Sequence, residues 1–258
     1  MRYKLLLSYD GSPFCGWQIQ TKDPSVQECL QKALKTLLRE EIEVTGAGRT
    51  DTGVNAMFYC AHFDCRAGLD AEDLCYKLNA ILPPSVCMHS VSAAPDGFHA
   101  RFSAVSRTYM YFIHKNKDPF MDRRSYRLGY PLDVDEMNRA AQMLLGTRDF
   151  GCFEKKGGDN KTSICTVTRA SWTSYVPERL ALAGITPGKD DYLVFTVTAD
   201  RFLRNMVRAI VGTLLEIGRG RRNAEWMKEV LDSGNRSVAG ESVPGHALFL
   251  TEVKYPEI

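Results

Sequence analysis

Residues 46 to 56 read GAGRTDTGVNA, and within them an arginine and an aspartate, Arg49 and Asp51, stand two positions apart. Three glycines, two threonines and an asparagine mark a turn-rich loop. A guanidinium beside a carboxylate favours its ionised form, and an ionised, positioned carboxylate can act as nucleophile or general base. The same aspartate can equally shape a turn by accepting backbone N–H bonds. The loop alone leaves both readings open.

Other chemistries find less support. A dinucleotide fingerprint starting at Gly46 requires a third glycine where Asp51 stands, and no helix follows the strand before the loop. The Gly-Lys-Ser/Thr ending of a phosphate-binding P-loop is absent. The five histidines are scattered and show no hydrolase signature. No second carboxylate in the loop supports a glycosidase pair. Eight cysteines at positions 15, 29, 60, 65, 75, 87, 152 and 165 follow no framework spacing, so reduced thiols are expected. In CAHFDC a strand puts Cys60 and His62 on one face and Cys65 on the other, short of the four convergent ligands that zinc requires.

The elements that must hold the loop can be read from periodicity. YKLLLSYD has the character of a buried strand, and SVQECLQKALKTLL is a helix with Ser25 and Glu28 as a capping box. EIEVTG leads into the loop as a short strand and MFYCAHFDC leaves it as another. A helix at DAEDLCYKLNAIL ends at Pro83 and Pro84, and SVCMHSVSAA is again a strand. The pattern then restarts. SRTYMYFIHK is a strand, and DVDEMNRAAQMLLG a helix capped by Asp133, with Glu136 three residues on and Gly146 at its end. TSICTVTRASWTSY and DYLVFTVTA are successive strands, helices follow at 203–217 and 224–232, and HALFLTEVKY closes the chain. The segment 155–161, KKGGDNK, reads as a mobile basic loop. These elements predict an α+β protein of two related halves, 1–105 and 106–258.

With 258 residues, 44% of them hydrophobic, the chain can bury a substantial core. No stretch approaches a membrane span, and the N-terminal apolar run is too short for a signal peptide, so a soluble intracellular protein is expected. The net charge of +2 is unevenly spread: residues 1–105 carry 10 basic and 12 acidic groups, residues 106–258 carry 23 and 19. Between 201 and 222 six arginines face one glutamate, a local excess compatible with a polyanionic partner or with a solvated helix face.

The loop GAGRTDTGV resembles the active-site signature of the tRNA pseudouridine synthase A family. YDGSPFCGWQ near the start, FHARFSAVSRTYMYFI at 98–113, FLRNMVRAIVGTLLEIGRG at 202–220 and HALFLTEVKYP at the end resemble further blocks of that family, in the same order, across residues 3–256. The resemblance implies the pseudouridine synthase fold, with two α/β halves and largely antiparallel sheets joined around a central active-site cleft. It implies isomerisation of uridine to pseudouridine at positions 38, 39 and 40 of the tRNA anticodon stem-loop. It also implies a cytoplasmic homodimer, one tRNA contacting both subunits, and neither metal nor organic cofactor.

By the same resemblance Asp51 is the catalytic aspartate, acting on ribose C1′ or uracil C6 or assisting glycal formation. Tyr109 is the tyrosine that stacks on the flipped base, and Arg208 the arginine that pairs with Asp51. Chemistry agrees: a uridine inside a stem must leave it before a side chain reaches its glycosidic carbon. Arg208 neighbours the apolar stripe Leu203, Val207, Ile210, Leu214 and Ile217, and a partly buried arginine needs a carboxylate. Arg49 is expected to hold phosphate and help lever the base out, and Arg101, Arg107, Arg204 and the GRGRR arginines to contact the RNA backbone. Asn55 stands where the family commonly has histidine, Thr52 replaces its usual alanine, and Glu241 and Ala247 alter the block before the last strand. Two competing functions are a non-catalytic RNA-binding protein and a metal-dependent enzyme built on the Cys/His cluster.

Overall fold

The computed structural model describes residues 1–66, 68–157 and 161–256. Residues 158–160, the middle of the basic segment 155–161, lie outside that description. The chain forms two compact units, Met1–Arg107 together with the stretch from Phe249 onward, and Thr108–Leu248.

In the first unit β1 (Arg2–Tyr9) alternates strictly, with Tyr3, Leu5, Leu7 and Tyr9 turned into the core. It pairs antiparallel with both β3 (Asn55–Asp64) and β4 (Val86–Ala93). On the side of β3 opposite β1, the short β2 (Val44–Gly46) runs antiparallel to its later residues and the final strand β10 (Leu248–Lys254) runs parallel to its start. The order is therefore β4-β1-β3-β10, with β3 internal. Residues 59–63 of β3 are buried without interruption, as a strand covered on both faces requires.

Helix α1 (Val26–Leu38) starts where expected, the Ser25 hydroxyl accepting the Glu28 N–H at 3.3 Å, but the Glu28 carboxylate pairs with Lys32 instead of closing the expected capping box. Its buried side chains Val26, Leu30 and Leu34, with Leu74 and Leu78 of α2 (Ala71–Ile81), face the core. Each such leucine contributes about 1.5–3 kcal/mol of burial.

The second unit pairs β8 (Ile164–Ser174) antiparallel with β9 (Tyr192–Ala199) and β7 (Gly146–Asp149), in the order β5-β9-β8-β7. Strand β5 spans Ser106–His114, and a two-residue strand β6 (Tyr126–Arg127) runs parallel to it. Helix α3 (Val134–Gln142) packs on β8 and against α5 (Met206–Gly218) and α6 (Trp226–Ser233); a short α4 covers Glu178–Leu182. The helix expected over 133–146 stops at Gln142, and Gly146, with φ +95°, opens β7 instead. The helix expected from 203 begins at Met206, because Asn205 adopts a left-handed conformation with φ +65°.

Helix α5 was expected to carry one apolar stripe. Its side chains are instead buried on all sides apart from Arg208 and Glu216, the pattern of a central core helix. One side lies against the segment 240–243: a Cβ on Gly212 would sit 1.7 Å from the Glu241 carbonyl oxygen. Only glycine permits that approach.

Candidate functional site

The loop carrying Asp51 is held from several directions inside the first unit. Thr50 is buried, and its Oγ1 lies 2.9 Å from the Tyr9 hydroxyl at the end of β1. The Thr50 carbonyl accepts the Trp17 N–H at 3.2 Å. Gly16 makes this possible: its φ is +95°, and a Cβ there would meet the Thr50 oxygen at 2.3 Å. Below the loop the rings of Trp17 and Tyr59 stack at 4.1 Å, and the Tyr59 hydroxyl donates to the Gly48 carbonyl. On the far side the Val54 N–H returns to the Asp51 carbonyl at 3.1 Å, closing a turn. Asp51 itself is half-buried and Arg49 exposed. A half-buried carboxylate stands on a backbone whose neighbours are fixed, the arrangement rigid scaffolds give to reacting groups.

Asn55 is buried and accepts the Gly11 N–H at 2.9 Å. It therefore ties the block YDGSPFCGW to the start of β3. Thr52 is exposed and plays no such part.

A second segment of the same unit, 98–107, is drawn to this loop by Arg107. Its guanidinium donates to the carbonyls of Ala47 (3.1 Å), Arg101 (2.7 Å) and Ala104 (3.1 Å). His62 supports the segment from beneath: its Nδ1 accepts the Ala100 N–H at 3.1 Å, while the Tyr255 hydroxyl donates to the Ala100 carbonyl at 2.6 Å. Burial, then the nearby positive charge of Arg2 and the neighbouring His99, lower the His62 pKa from 6.5 to about 4, with Asp64 opposing them. A neutral imidazole accepting an amide is a structural group. Cys60, His62 and Cys65 are all buried, and among the described residues no group of three or more His, Cys, Asp or Glu side chains is arranged to hold a metal ion.

In the second unit Tyr109 and Tyr111 lie two residues apart on β5 and differ in environment. Tyr111 is fully buried and donates to the Pro244 carbonyl at 3.1 Å. Tyr109 is half-buried, its ring edge-on to Phe202 at 5.0 Å and 83°. Arg208, in the first turn of α5, donates through Nε to the Val243 carbonyl at 2.7 Å, while its own carbonyl accepts the Val243 N–H at 3.2 Å. This paired contact fixes the root of its guanidinium. Arg204 is exposed, and its carbonyl accepts the Lys155 N–H at 3.0 Å. Arg101 is also exposed, its guanidinium 5.4 Å from the Phe102 ring centroid.

The second unit also contains an arrangement that sequence reading missed. His114 lies between Ser125 Oγ (3.0 Å) and Asp122 Oδ1 (3.2 Å), the order of a hydrolase triad. Ser125 is wholly buried, which denies it any substrate. Burial lowers the His114 pKa even against the pull of Asp122. The trio satisfies buried polar groups.

Tyr9, Trp17, Tyr59 and Asn55 were missed as supports of the Asp51 loop. Their types alone said only core or turn; the signal lay in the block YDGSPFCGWQ having no chemistry of its own.

A family model described as tRNA pseudouridine synthase matches residues 6–103 and 140–256. The tRNA pseudouridine synthase A of Bacteroides thetaiotaomicron is 48% identical over 256 residues, covering 99% of this chain and 91% of that protein. That of Bacteroides fragilis is 46% identical over 258 residues, covering 99% and 97%. The Bacillus subtilis protein of the same name is 38% identical over 259 residues, covering 99% of each chain. Matches of this extent take in the Asp51 loop, the segments that support it and the Arg208 helix alike. The chain belongs to the tRNA pseudouridine synthase family, isomerases acting on uridine in tRNA.

Proposed function

We propose that this protein converts uridine to pseudouridine at positions 38, 39 and 40 of the tRNA anticodon stem-loop, with Asp51 as the reacting carboxylate. The observation that carries the reading is the Asp51 loop: a half-buried aspartate on a backbone anchored through Thr50, Gly48 and Val54. The reaction is an isomerisation. The bond from uracil N1 to ribose C1′ breaks, a bond from C5 to C1′ forms, the C5 proton is lost and N1 gains one. A carboxylate stabilises the separated base and sugar and needs no redox partner.

In this reading Tyr109 stacks on the flipped uracil, Arg208 pairs with Asp51 when the substrate is bound, and Arg49 contacts phosphate as the base leaves the stem. Arg101 and Arg204 are RNA-backbone contacts. Arg107, committed to three carbonyls, acts chiefly as a positioning residue for the loop. The working species is a cytoplasmic homodimer, which family resemblance supports.

The test is Asp51→Asn, with pseudouridine mapped base by base in the anticodon stem-loop. Turnover is expected to vanish while tRNA affinity changes by less than about tenfold, since phosphate contacts dominate RNA binding. Residual turnover above about a hundredth of wild type removes Asp51 from the reaction, against the factor of 10³ or more expected for a covalent group.

A further inference from the structure

Phe102 presents a large ring to solvent, with 75% of its surface exposed, two residues from the fully buried Ala100. One exposed aromatic is ordinary on a protein surface. What surrounds this one is not. The His99 ring lies 4.4 Å from it at 34°, and the Arg101 guanidinium 5.4 Å from its centroid.

The backbone that carries the ring is held at nearly every residue. His99 Nδ1 faces the N–H groups of both Arg101 and Phe102, at 3.2 and 3.3 Å. Ser103 closes the loop twice, its hydroxyl accepting the His99 N–H at 2.9 Å and its own N–H reaching the His99 carbonyl at 2.9 Å. Ala100 is fixed through His62 and Tyr255, and Arg101 through Arg107. Arg107 also bonds Ala47, four residues before Asp51, so the ring is indexed to the reactive loop.

Ordering a ring that stays exposed gains little from burial. It gains in binding, because a partner then meets a surface already set in place. A flat apolar face with a guanidinium beside it matches an unpaired nucleobase and its phosphate.

We propose that Phe102 and Arg101 form a stacking platform for one unpaired nucleobase of the tRNA, distinct from the uridine that reacts. The platform rests on the tRNA-modifying reading above, though not on which uridines are converted.

The experiment uses the full-length protein and its Phe102→Trp, Phe102→Leu and Phe102→Ala variants. Affinity is measured for full-length tRNA transcript. Base stacking is followed with anticodon stem-loop RNAs carrying 2-aminopurine singly at each unpaired position. Thermal midpoints should be unchanged, because the ring is exposed. Kd for tRNA should rise about tenfold for Ala and for Leu, and by less than about threefold for Trp, which keeps a π face. One 2-aminopurine position should be quenched by wild type and Trp but not by Leu.

Wild-type affinity in the Leu variant overturns the proposal, because apolar contact would then suffice without stacking. A Leu variant that loses tRNA affinity only because the protein changes oligomeric state also overturns it, making the ring a protein contact. Wild-type protein that forms no pseudouridine at positions 38–40, yet binds tRNA in a Phe102-dependent way, removes the positional reading and upholds the platform.

Discussion

The Tyr9 hydroxyl lies 2.9 Å from Thr50 Oγ1, both side chains buried, linking the end of β1 to the residue before Asp51 across 41 positions of sequence. Tyr9→Phe leaves the Thr50 hydroxyl buried without that partner, at a cost of about 1–3 kcal/mol. Removing both polar groups in Tyr9→Phe/Thr50→Val should recover part of the loss. Urea unfolding of the two single variants and the double gives the coupling, expected to exceed about 0.5 kcal/mol. Single-turnover rate should fall in Tyr9→Phe while Kd for tRNA stays within about twofold, since no phosphate contact is lost. An additive cycle with an unchanged rate denies the hydroxyl pair any role in holding Asp51.

Stability should depend on pH through His62. Its pKa is lowered from 6.5 to about 4 in the folded protein, chiefly by burial and then by Arg2 and His99, against the pull of Asp64. Between those values the unfolded chain binds the extra proton, so stability is greatest above about 6.5 and declines as pH falls through about 4. The decline from this group should be on the order of 3 kcal/mol. A protonated Nδ1 also cannot accept the Ala100 N–H. His62→Asn keeps an acceptor but does not titrate there. Urea midpoints from pH 7 to pH 4 should fall less steeply for the variant, and parallel curves reject the assignment.

Tyr109 and Tyr111 separate binding from folding. If Tyr109 stacks on uracil, Tyr109→Phe retains the π face and most of the affinity, while Tyr109→Ala loses about 1–3 kcal/mol of stacking. Turnover can still slow in Tyr109→Phe if the phenol relays a proton. Tyr111→Phe strands the Pro244 carbonyl and should cost about 1 kcal/mol in unfolding with no change in tRNA affinity. Equal losses of binding for the Phe and Ala variants of Tyr109 count against stacking.

Local signals marked the elements well, because caps and periodicity act over a few residues. Ser25 and Asp133 cap α1 and α3 through the N–H groups of Glu28 and Glu136. Yet Glu136 does not reach back as a capping box would; its carboxylate accepts the Ala224 N–H at 3.0 Å and pairs with Arg139. Short elements such as β6 and α4 carry too little pattern to announce themselves. The motif placed Asp51 on a loop, but not the means of holding it. Tyr9 to Thr50 and Arg107 to Ala47 span 41 and 60 residues, and only the sheet brings such partners together. Arg107 shows the limit of reading by type: an arginine in an RNA enzyme suggests phosphate, whereas its guanidinium serves three carbonyls.

Salt dependence should separate Arg208 from the arginines after α5. Arg221 bonds both carboxylate oxygens of Glu216 at 3.2 and 3.1 Å, and Arg222 lies over the Trp226 ring at 5.1 Å. Both remain exposed, within reach of a polyanion. If they touch phosphates, the Arg221→Ala/Arg222→Ala double variant should weaken tRNA binding. It should also flatten the plot of log K against log salt by up to about two ions, through lost counterion release. Arg208 is anchored at Val243 through Nε and is proposed to serve the Asp51 carboxylate. Arg208→Ala should leave the salt slope nearly unchanged while cutting the single-turnover rate by about a hundredfold or more, the scale of a lost buried charge partner. Arg208→Lys keeps the charge without the planar fork and should recover only part of that rate. Single-turnover rates, with affinities against salt, test all three variants. A reduced salt slope with a normal rate in Arg208→Ala moves that residue to the phosphate-binding surface.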